Sequence, residues 1–367
     1  MKMYVANETP SVEIHARLAA AEQMLRSSPP EISETEAGHI VLQHYGRSVT
    51  ATLLSGERDR NFLISDTSGW SALLKFYNPV DDAPARALQN DALLHIKAQD
   101  PACPAPEIYS SRDGRQEIIL RRNGTELAAV MFTRLAGVNP AQDDIGPELR
   151  ANIGQVAGRL SSALAGYDHP RADRMILWDM MLVTELLPLA ALIEDHTKRR
   201  SIEKWIGHFA TKAQLAAASL PCQMIHNDLS LSNILVDPAH RSRVVGIIDF
   251  GDIVRAPRIN EFAIAASYFI DSTGDLAVAM AQILKGNDCG PDLTPAEIAL
   301  LPTLIQARLV TRILLTGWRA QLFPGNHAYI TRSSHAAWHL WERFYRENPE
   351  ELAMRVMSLV CGGADVR

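Results

Sequence analysis

Cysteine is scarce in this chain of 367 residues, and basic residues do not outnumber acidic ones. The four cysteines are far apart in the sequence and form no CxxC pair, which excludes a recognisable disulfide framework or zinc motif. The 36 lysines and arginines are outnumbered by 42 aspartates and glutamates, so the formal net charge of −6 gives no reason to expect a nucleic-acid partner. We therefore expect reduced, mostly buried thiols in a cytoplasmic protein.

Membrane signals are also missing from the sequence. The stretch that looks most apolar, residues 175–193, contains Asp179, Glu185 and Pro188, which a bilayer accommodates only at high cost. The first residues include Glu8 where a signal peptide has an apolar core. We expect no membrane partner.

The hydrophobic pattern changes near residue 140, from short strand-like runs to long helical ones. This change predicts an α+β protein, with an N-terminal helical extension over 1–32, a small sheet lobe over 33–135 and a mostly helical lobe over 136–367. The predicted strands are 48–54, 61–65, 71–76, 116–121, 127–134, 234–236 and 244–248. The predicted helices are 11–27, 34–45, 84–97, 146–166, 174–193 and 198–218, with four or five more between 258 and 361.

The strongest chemical signal is the stretch HNDLSLSN at 226–233, followed by IDFGD at 248–252. It places Asp228 and Asn233 in a polar loop between strands, and Asp249 at the end of the next apolar strand, 21 residues after Asp228. Carboxylate and carboxamide oxygens suit Mg²⁺, and a separate carboxylate can align a hydroxyl nucleophile. This combination is what phosphoryl transfer requires, and it matches the catalytic and metal-binding loops of protein-kinase-like enzymes.

A lysine lies inside an apolar strand pattern in the N-terminal half. Lys75, in the run ALLKF, is costly to bury unless it meets an anion, which favours a role in anchoring phosphates. The alternative is an edge-strand lysine that faces water. The hairpin before it, residues 54–62, occupies the place of a nucleotide-covering loop but has a single glycine, Gly56, and no G-x-G-x-x-G pattern.

Together these motifs resemble the aminoglycoside phosphotransferase/choline kinase family, and within it the hydroxylysine kinase-like branch. The resemblance covers roughly residues 35–347. It also includes the stretches SGERDRNF at 55–62, LLKF at 73–76 with Asn78-Pro79, LQN at 88–90, ALLH at 92–95, AGYDHP at 165–170, Trp178-Asp179 and PGN at 324–326.

The resemblance implies a bilobal, protein-kinase-like fold and a role for each matching residue. Asp228 is then the base that orients the acceptor hydroxyl, Asn233 and Asp249 hold Mg²⁺, and Lys75 contacts the phosphates of ATP or GTP. A segment over 131–135 presents its backbone to the purine. The remaining residues expected at the nucleotide are Ser55, Gly56, Arg60, Asn61, Met131 and Thr133.

The sequence departs from the protein-kinase pattern in three ways. No glutamate lies between Pro84 and Lys97, so Gln89 or Asn90 takes the place of the usual partner of the lysine. Asn227 stands where protein kinases have an arginine that reads a phosphorylated loop, which argues against such control. A helix is predicted to begin by about 258, soon after the second motif and with no A-P-E signal, so we expect a small acceptor rather than a protein.

The acceptor pocket is expected between the catalytic loop and the C-terminal helices. An arginine could bind the carboxylate of a hydroxylated amino acid such as 5-hydroxylysine, while carboxylates bind its ammonium groups. Aromatic side chains leave choline or ethanolamine open, and homoserine and aminoglycosides are further alternatives. The candidate residues are Asp252, Trp178, Asp179, Arg308, Trp318 and Tyr329, each of which could also serve core packing or helix capping.

Other motifs have simpler interpretations. His335 and His339 are spaced as a helical metal pair, but a solvated helix face explains them better. Glu261 is expected to brace the catalytic loop without taking part in chemistry. The rival from another class is a kinase-shaped nucleotide-binding scaffold, which we would expect to have lost one of the three loop residues. The oligomeric state is not predictable from the sequence.

Overall fold

The computed structural model describes residues 10–362 apart from residues 55, 57, 123 and 272, with side chains from residue 15 onward. It forms two compact units. The smaller one contains Ala19–Ala136 and His169–Arg171, and the larger one contains the chain up to Leu18, Gly137–Asp168 and the chain from Ala172 onward. The predicted α+β architecture is confirmed. The predicted domain boundaries at 32 and 135 stay predictions.

The smaller unit is built on an antiparallel sheet in the order β1-β2-β3-β6-β4, with β5 paired to β6. Helix α2 packs on β1 and β2. The elements from the N-terminus are α1 (Pro10–Leu25), α2 (Glu34–Tyr45), β1 (Thr50–Leu54), β2 (Arg60–Ser65), β3 (Ser71–Phe76), α3 (Ala83–Gln99), β4 (Ile108–Tyr109), β5 (Ile118–Arg122) and β6 (Thr125–Thr133).

Local sequence signals explain the boundaries of α2. The Ser33 side chain accepts a hydrogen bond from the Glu36 N–H at 3.2 Å, and the Glu36 carboxylate accepts one from the Ser33 N–H at 2.9 Å. This capping box stabilises the first turn. The helix ends at Gly46, whose φ of +73° is favourable only for glycine. The helix predicted over 34–45 is confirmed.

Strand β3 lies at the centre of the sheet, between β2 and β6. Its side chains alternate, so Leu74 and Phe76 are fully buried while Lys75 points to the other face and is partly exposed. Phe76 meets Phe62 edge to face, with ring centroids 5.9 Å apart. The buried face therefore fixes the register that places Lys75 opposite Asn61 and Val130.

The larger unit is mostly helical, with two short antiparallel strand pairs, β7 with β10 and β8 with β9. Its elements are α4 (Pro147–Ala163), α5 (His196–His208), α6 (Gln214–Ala218), β7 (Cys222–Ile225), β8 (Ile234–Val236), β9 (Val244–Ile247), β10 (Val254–Pro257), α7 (Ile259–Phe269), α8 (Leu276–Lys285), α9 (Pro295–Leu322), α10 (His327–Thr331), α11 (Ser334–Arg346) and α12 (Pro349–Cys361).

One helix prediction in this unit is wrong. Residues 174–193 do not form an α-helix: Met180–Leu192 form successive 3₁₀ turns, which accommodate Pro188 where an α-helix would lose a hydrogen bond. The helical stretch predicted over 198–218 is confirmed, with a turn of π type at Phe209–Ala213 between α5 and α6. The predicted strands also include none at β4, β7 or β10.

Helix α9 passes the length and apolarity test for a membrane span, with a mean hydropathy of 1.6 in its most apolar window. In the structure, 83% of that window is buried inside the protein, against the 3₁₀ segment, α7, α11 and α12. A core helix passes the same test, and α9 is the helix around which the larger unit packs.

Glycines bring α4 and α8 into backbone contact. A Cβ at Gly154 would overlap the carbonyl oxygen of Ile283, and one at Gly158 would overlap the Asn287 side chain. Small residues at these positions therefore set the distance between the two helices.

We expect Gly154→Ala to destabilise the protein by about 1–3 kcal/mol through overpacking, although alanine is the better helix former. The measurement is the free energy of unfolding in denaturant. Gly317→Ala is the matched control, because nothing lies within 4 Å of a Cβ at that position of α9, and we expect it to be neutral or to stabilise by up to about 1 kcal/mol. Equal effects of the two changes would contradict the packing argument.

Candidate active site

Glu261, on the first turn of α7, contacts the backbone of the loop between β7 and β8. The backbone N–H of His226 donates to Glu261 Oε2 at 2.6 Å. The expectation that Glu261 braces the catalytic loop is confirmed. Burial raises the pKa of Glu261 to about 7, against the nearby N–H groups of His226 and Asn227, which lower it.

His226 ties this loop to the second motif. Its Nδ1 accepts a hydrogen bond from the Asp228 N–H at 3.2 Å, and its Nε2 lies 3.1 Å from the carbonyl oxygen of Ile248. The two contacts together require a neutral ring that carries its proton on Nε2. Burial lowers the pKa of His226, which favours this neutral form. The ring also meets Phe250 edge to face, with centroids 4.6 Å apart.

Asp228 is held on both carboxylate oxygens. Asn233 Nδ2 donates to Asp228 Oδ2 at 2.6 Å, and Arg308 Nη2 donates to Asp228 Oδ1 at 2.8 Å. Burial raises the pKa of Asp228 above its usual value, the Arg308 guanidinium opposes this shift, and the charge of Asp249 adds to it. The side chain keeps 23% of its surface exposed, so a ligand can reach it.

The structure gives Arg308 a partner that the sequence did not predict. Arg308 is 1% exposed, donates from Nη1 to the carbonyl oxygen of Trp178 at 2.9 Å, and lies 5.4 Å from the centre of the Trp178 ring. Its two Nη atoms therefore fix Asp228 and the Trp178 backbone. The expectation that Arg308 stands ready for an acceptor carboxylate is corrected to a role in positioning Asp228.

The second motif follows β9 and folds back on the catalytic loop. The Ile248 N–H donates to the carbonyl oxygen of Asn233 at 2.9 Å, which places Asp249 beside that loop. Asp249 adopts a left-handed conformation, with φ at +63°, and its Oδ1 accepts a hydrogen bond from the Gly251 N–H at 3.2 Å. Arg174 clamps the turn by donating to the backbone oxygens of Gly251 and Ile253.

Asp252 completes a group of mutually repelling carboxylates. Burial and the charges of Asp228 and Asp249 raise its pKa to about 6, against the charges of Arg174 and Arg308, which lower it. Among the described residues, neither Asp249 nor Asp252 forms an ion pair with a basic side chain. A bound cation would supply the direct partner that these two carboxylates lack among the described residues.

The donor set fits a hard divalent ion. Asn233 turns its amide nitrogen toward Asp228, which leaves its Oδ1 for a ligand, and Asp249 is exposed. Oxygen ligands of this kind suit Mg²⁺. No group of three or more His, Cys, Asp or Glu side chains in the described part of the chain could hold a metal. A site on Asn233 and Asp249 therefore relies on ligands from water or substrate as well.

The other residues expected at the acceptor differ in their surroundings. Asp179 is fully buried and accepts a hydrogen bond from the Met181 N–H at 3.1 Å, so it caps the 3₁₀ segment. Trp318 is buried at 9% exposure. Tyr329 is half exposed and stacks on Arg332, 3.9 Å from the ring centre. These contacts fit core packing and helix capping, the alternative roles given above for the candidate acceptor residues.

In the smaller unit, Lys75 has a carboxylate partner that the sequence reasoning missed. Its Nζ lies 2.7 Å from Asp59 Oδ2, each side chain is 19% exposed, and the Tyr77 ring lies 4.8 Å away. Asp59 is fixed in turn by the Asn78 N–H, 2.9 Å from its Oδ1. Asn90, one of the two expected replacements from α3, accepts a hydrogen bond from the Tyr77 hydroxyl. The signal available in the sequence was Asp59, an acidic residue directly before β2, the strand that pairs with β3.

The other residues expected at the nucleotide lie in the same unit. Gly56 packs so close to the Asp59 carbonyl oxygen that a Cβ would lie 2.7 Å from it. Arg60 donates from Nε to the Pro30 carbonyl oxygen at 2.8 Å, and Asn61 is opposite Lys75. Met131 is buried in the sheet, and the Thr133 hydroxyl accepts from the Glu107 N–H at 2.9 Å. Ser55 lies outside the described residues. The nucleotide roles stay predictions.

A model of the "Phosphotransferase enzyme family" matches residues 50–297, more than half of the chain. The chain belongs to this family. Hydroxylysine kinase of Bos taurus is 23% identical to it over 347 residues, which are 88% of this chain and 92% of the relative. The resemblance seen in the sequence is confirmed.

Solved structures of phosphotransferases share the fold. Amicoumacin kinase hAmiN in complex with AMP-PNP, Ca²⁺ and Ami has a TM-score of 0.59 at 16% identity, over 94% of this chain and 96% of that one. An aminoglycoside phosphotransferase from Alicyclobacillus acidocaldarius subsp. acidocaldarius has a TM-score of 0.60 at 15% identity, over 90% and 98%. The chain is a small-molecule kinase of its family, whose members use a nucleotide as phosphoryl donor.

We expect Asp59→Asn to raise the nucleotide KM of this phosphotransferase about tenfold, which corresponds to about 1.4 kcal/mol. The change keeps the oxygen that accepts from Asn78 and removes the charge that holds Lys75. Steady-state kinetics with varied nucleotide measure the effect. Asp81→Asn is the matched control, because Asp81 pairs with Arg58 in the same unit at similar burial. A nucleotide KM unchanged in Asp59→Asn would show that Asp59 does not position the lysine.

A second prediction concerns the pH dependence of stability. Because the pKa of folded Glu261 is about 7, above its ordinary value of 4.5, the folded protein keeps a proton that the unfolded chain releases between these values. Glu261 therefore costs stability as pH rises from about 4.5 to 7. We expect Glu261→Gln, which cannot ionise, to gain on the order of 1–3 kcal/mol relative to wild type across this window. Denaturant unfolding at pH 5, 6, 7 and 8 measures it, and a constant difference would refute the shift.

Proposed function

We propose that the chain transfers the γ-phosphoryl group of ATP or GTP to the hydroxyl of a hydroxylated amino acid, with 5-hydroxylysine as the first candidate. The observation that carries this proposal is the fixed carboxylate of Asp228. It is held between Asn233 and Arg308 and still reachable by a ligand. The names of the curated relatives support the acceptor.

In the proposed reaction Asp228 accepts a hydrogen bond from the acceptor hydroxyl and takes its proton as the oxygen attacks the γ-phosphorus. The bond from this phosphorus to the β–γ bridging oxygen breaks, and the nucleoside diphosphate leaves. Asn233 and Asp249 hold Mg²⁺, which neutralises charge on the phosphates. Lys75, oriented by Asp59, binds phosphate oxygens. Arg308 keeps the Asp228 carboxylate aligned, and the raised pKa of Asp228 strengthens it as a proton acceptor.

The surroundings of Asp228 disfavour two of the alternative acceptors. Arg308 lies over the ring of Trp178, so this face is not free to receive the ammonium of choline or ethanolamine. Homoserine, which is also a hydroxylated amino acid, remains an alternative and enters the test.

The test is an acceptor panel of 5-hydroxylysine, homoserine, choline, ethanolamine and kanamycin, each assayed with Mg²⁺ and either ATP or GTP. We expect the highest kcat/KM with 5-hydroxylysine. Asp228→Asn should lower kcat about 100- to 10,000-fold and leave nucleotide binding intact, because it removes the base.

Asp237→Asn is the control for the loss of a carboxylate in the same unit, since Asp237 pairs with Arg243 on the β8–β9 turn. We expect it to keep the wild-type kcat. Turnover of the panel by Asp228→Asn at the wild-type rate would overturn the mechanism. Preference for choline, ethanolamine or kanamycin would overturn the proposed acceptor and leave the mechanism in place.

A further inference from the structure

Arg312 is a second buried arginine beside Asp228, one helical turn after Arg308 on α9. Residues four apart lie on the same face of a helix, and Arg312 is 5% exposed. It donates from Nη1 to the carbonyl oxygen of Ser267 at 2.6 Å, and its guanidinium lies 3.7 Å from the centre of the Tyr268 ring. Its other N–H groups find no acceptor among the described residues.

The charge of Arg312 lacks a counterion. The other two buried arginines have one, since Arg308 pairs with Asp228 and Arg150, at 7% exposure, pairs with Asp271. No carboxylate in the described part of the chain lies within ion-pair distance of Arg312. Burying an unpaired charge is costly. An anion delivered by a ligand would relieve this cost.

The charges around Arg312 are also consistent with a site for a ligand's anion. Burial and the nearby positive charge of Arg308 lower the pKa of Arg312, whereas Tyr268 and the negative charge of Asp228 raise it. Arg312 therefore lies close enough to Asp228 to sense its charge. The ion pair of Asp228 is with Arg308, and Asp228 forms none with Arg312.

We propose that Arg312 binds the carboxylate of the acceptor. This inference rests on the proposed function and deepens it, because it names the residue that selects an acceptor with a carboxylate over one without it. The guanidinium presents N–H groups in the planar arrangement that matches a carboxylate. One helical turn, about 5.4 Å, separates Arg312 from the residue that holds Asp228. An acceptor with several carbons between carboxylate and hydroxyl can span this interval.

The experiment compares 5-hydroxylysine with its carboxamide, which keeps the hydroxyl and the amines and loses the negative charge. We expect wild type to prefer the acid about 10- to 100-fold in kcat/KM, as a charge-assisted hydrogen bond in a buried site allows. Arg312→Met should reduce this preference to within a few-fold by raising the KM of the acid, with the nucleotide KM unchanged.

Arg150→Met is the matched control, because it removes a buried arginine of the same unit that the proposal does not place at the acceptor. It should keep the wild-type preference. If Arg312→Met does not fold, as thermal unfolding will show, Arg312→Lys replaces it. That variant keeps the charge and loses the planar fork, so the preference should fall several-fold.

Two results would overturn the role of Arg312 alone. An equal loss of activity toward acid and amide would make it a structural support for Tyr268. A rise confined to the nucleotide KM would assign the same anion-binding chemistry to a phosphate. Turnover by wild type of a different hydroxy acid would overturn only the proposed acceptor, and the comparison would use that acid and its amide. Turnover of carboxylate-free acceptors alone, or of none, would overturn both.

Discussion

The hydrogen-bonded ion pair between Arg308 and Asp228 is the interaction on which the candidate site depends. It joins a residue in the middle of α9 to a loop 80 positions earlier in the chain, at 2.8 Å. A buried guanidinium without this partner would be strongly destabilising. The carboxylate in turn has one geometry, because Asn233 takes its other oxygen. The core helix of the larger unit thus fixes the group proposed to activate the acceptor.

Backbone strain is concentrated in the same two loops. Asn227 and Asp249 are non-glycine residues with positive φ, at +68° and +63°, and such conformations cost about 1–3 kcal/mol each. Surrounding contacts hold them in place. Glu261 accepts a hydrogen bond from the backbone N–H of His226, next to Asn227. Arg174 donates to the backbone oxygens of Gly251 and Ile253, which follow Asp249. The two strained backbone conformations orient Asp228 and Asp249. The contact with buried Glu261 keeps the loop at Asn227 from relaxing.

Much of this arrangement could be predicted from the sequence because it is local. The spacing from Asp228 to Asn233 lies within one loop, and an apolar strand ends at Asp249, so both motifs and the α+β class followed from pattern alone. The partners of Arg308 and Lys75 did not, because they depend on how distant segments pack. The 3₁₀ segment of Met180–Leu192 was misjudged because its composition is as apolar as that of a helix.

The opposing influences on Asp228 explain why a buried arginine and a proposed base can coexist. A base needs a pKa high enough to accept a proton, and Arg308 lowers that pKa. Burial acts in the opposite direction and is the larger influence, so the net shift is upward. Exposing Asp228 to water would remove that compensation while Arg308 continued to lower the pKa. The apolar packing of α9 is therefore a chemical requirement of the proposed base as well as a structural one.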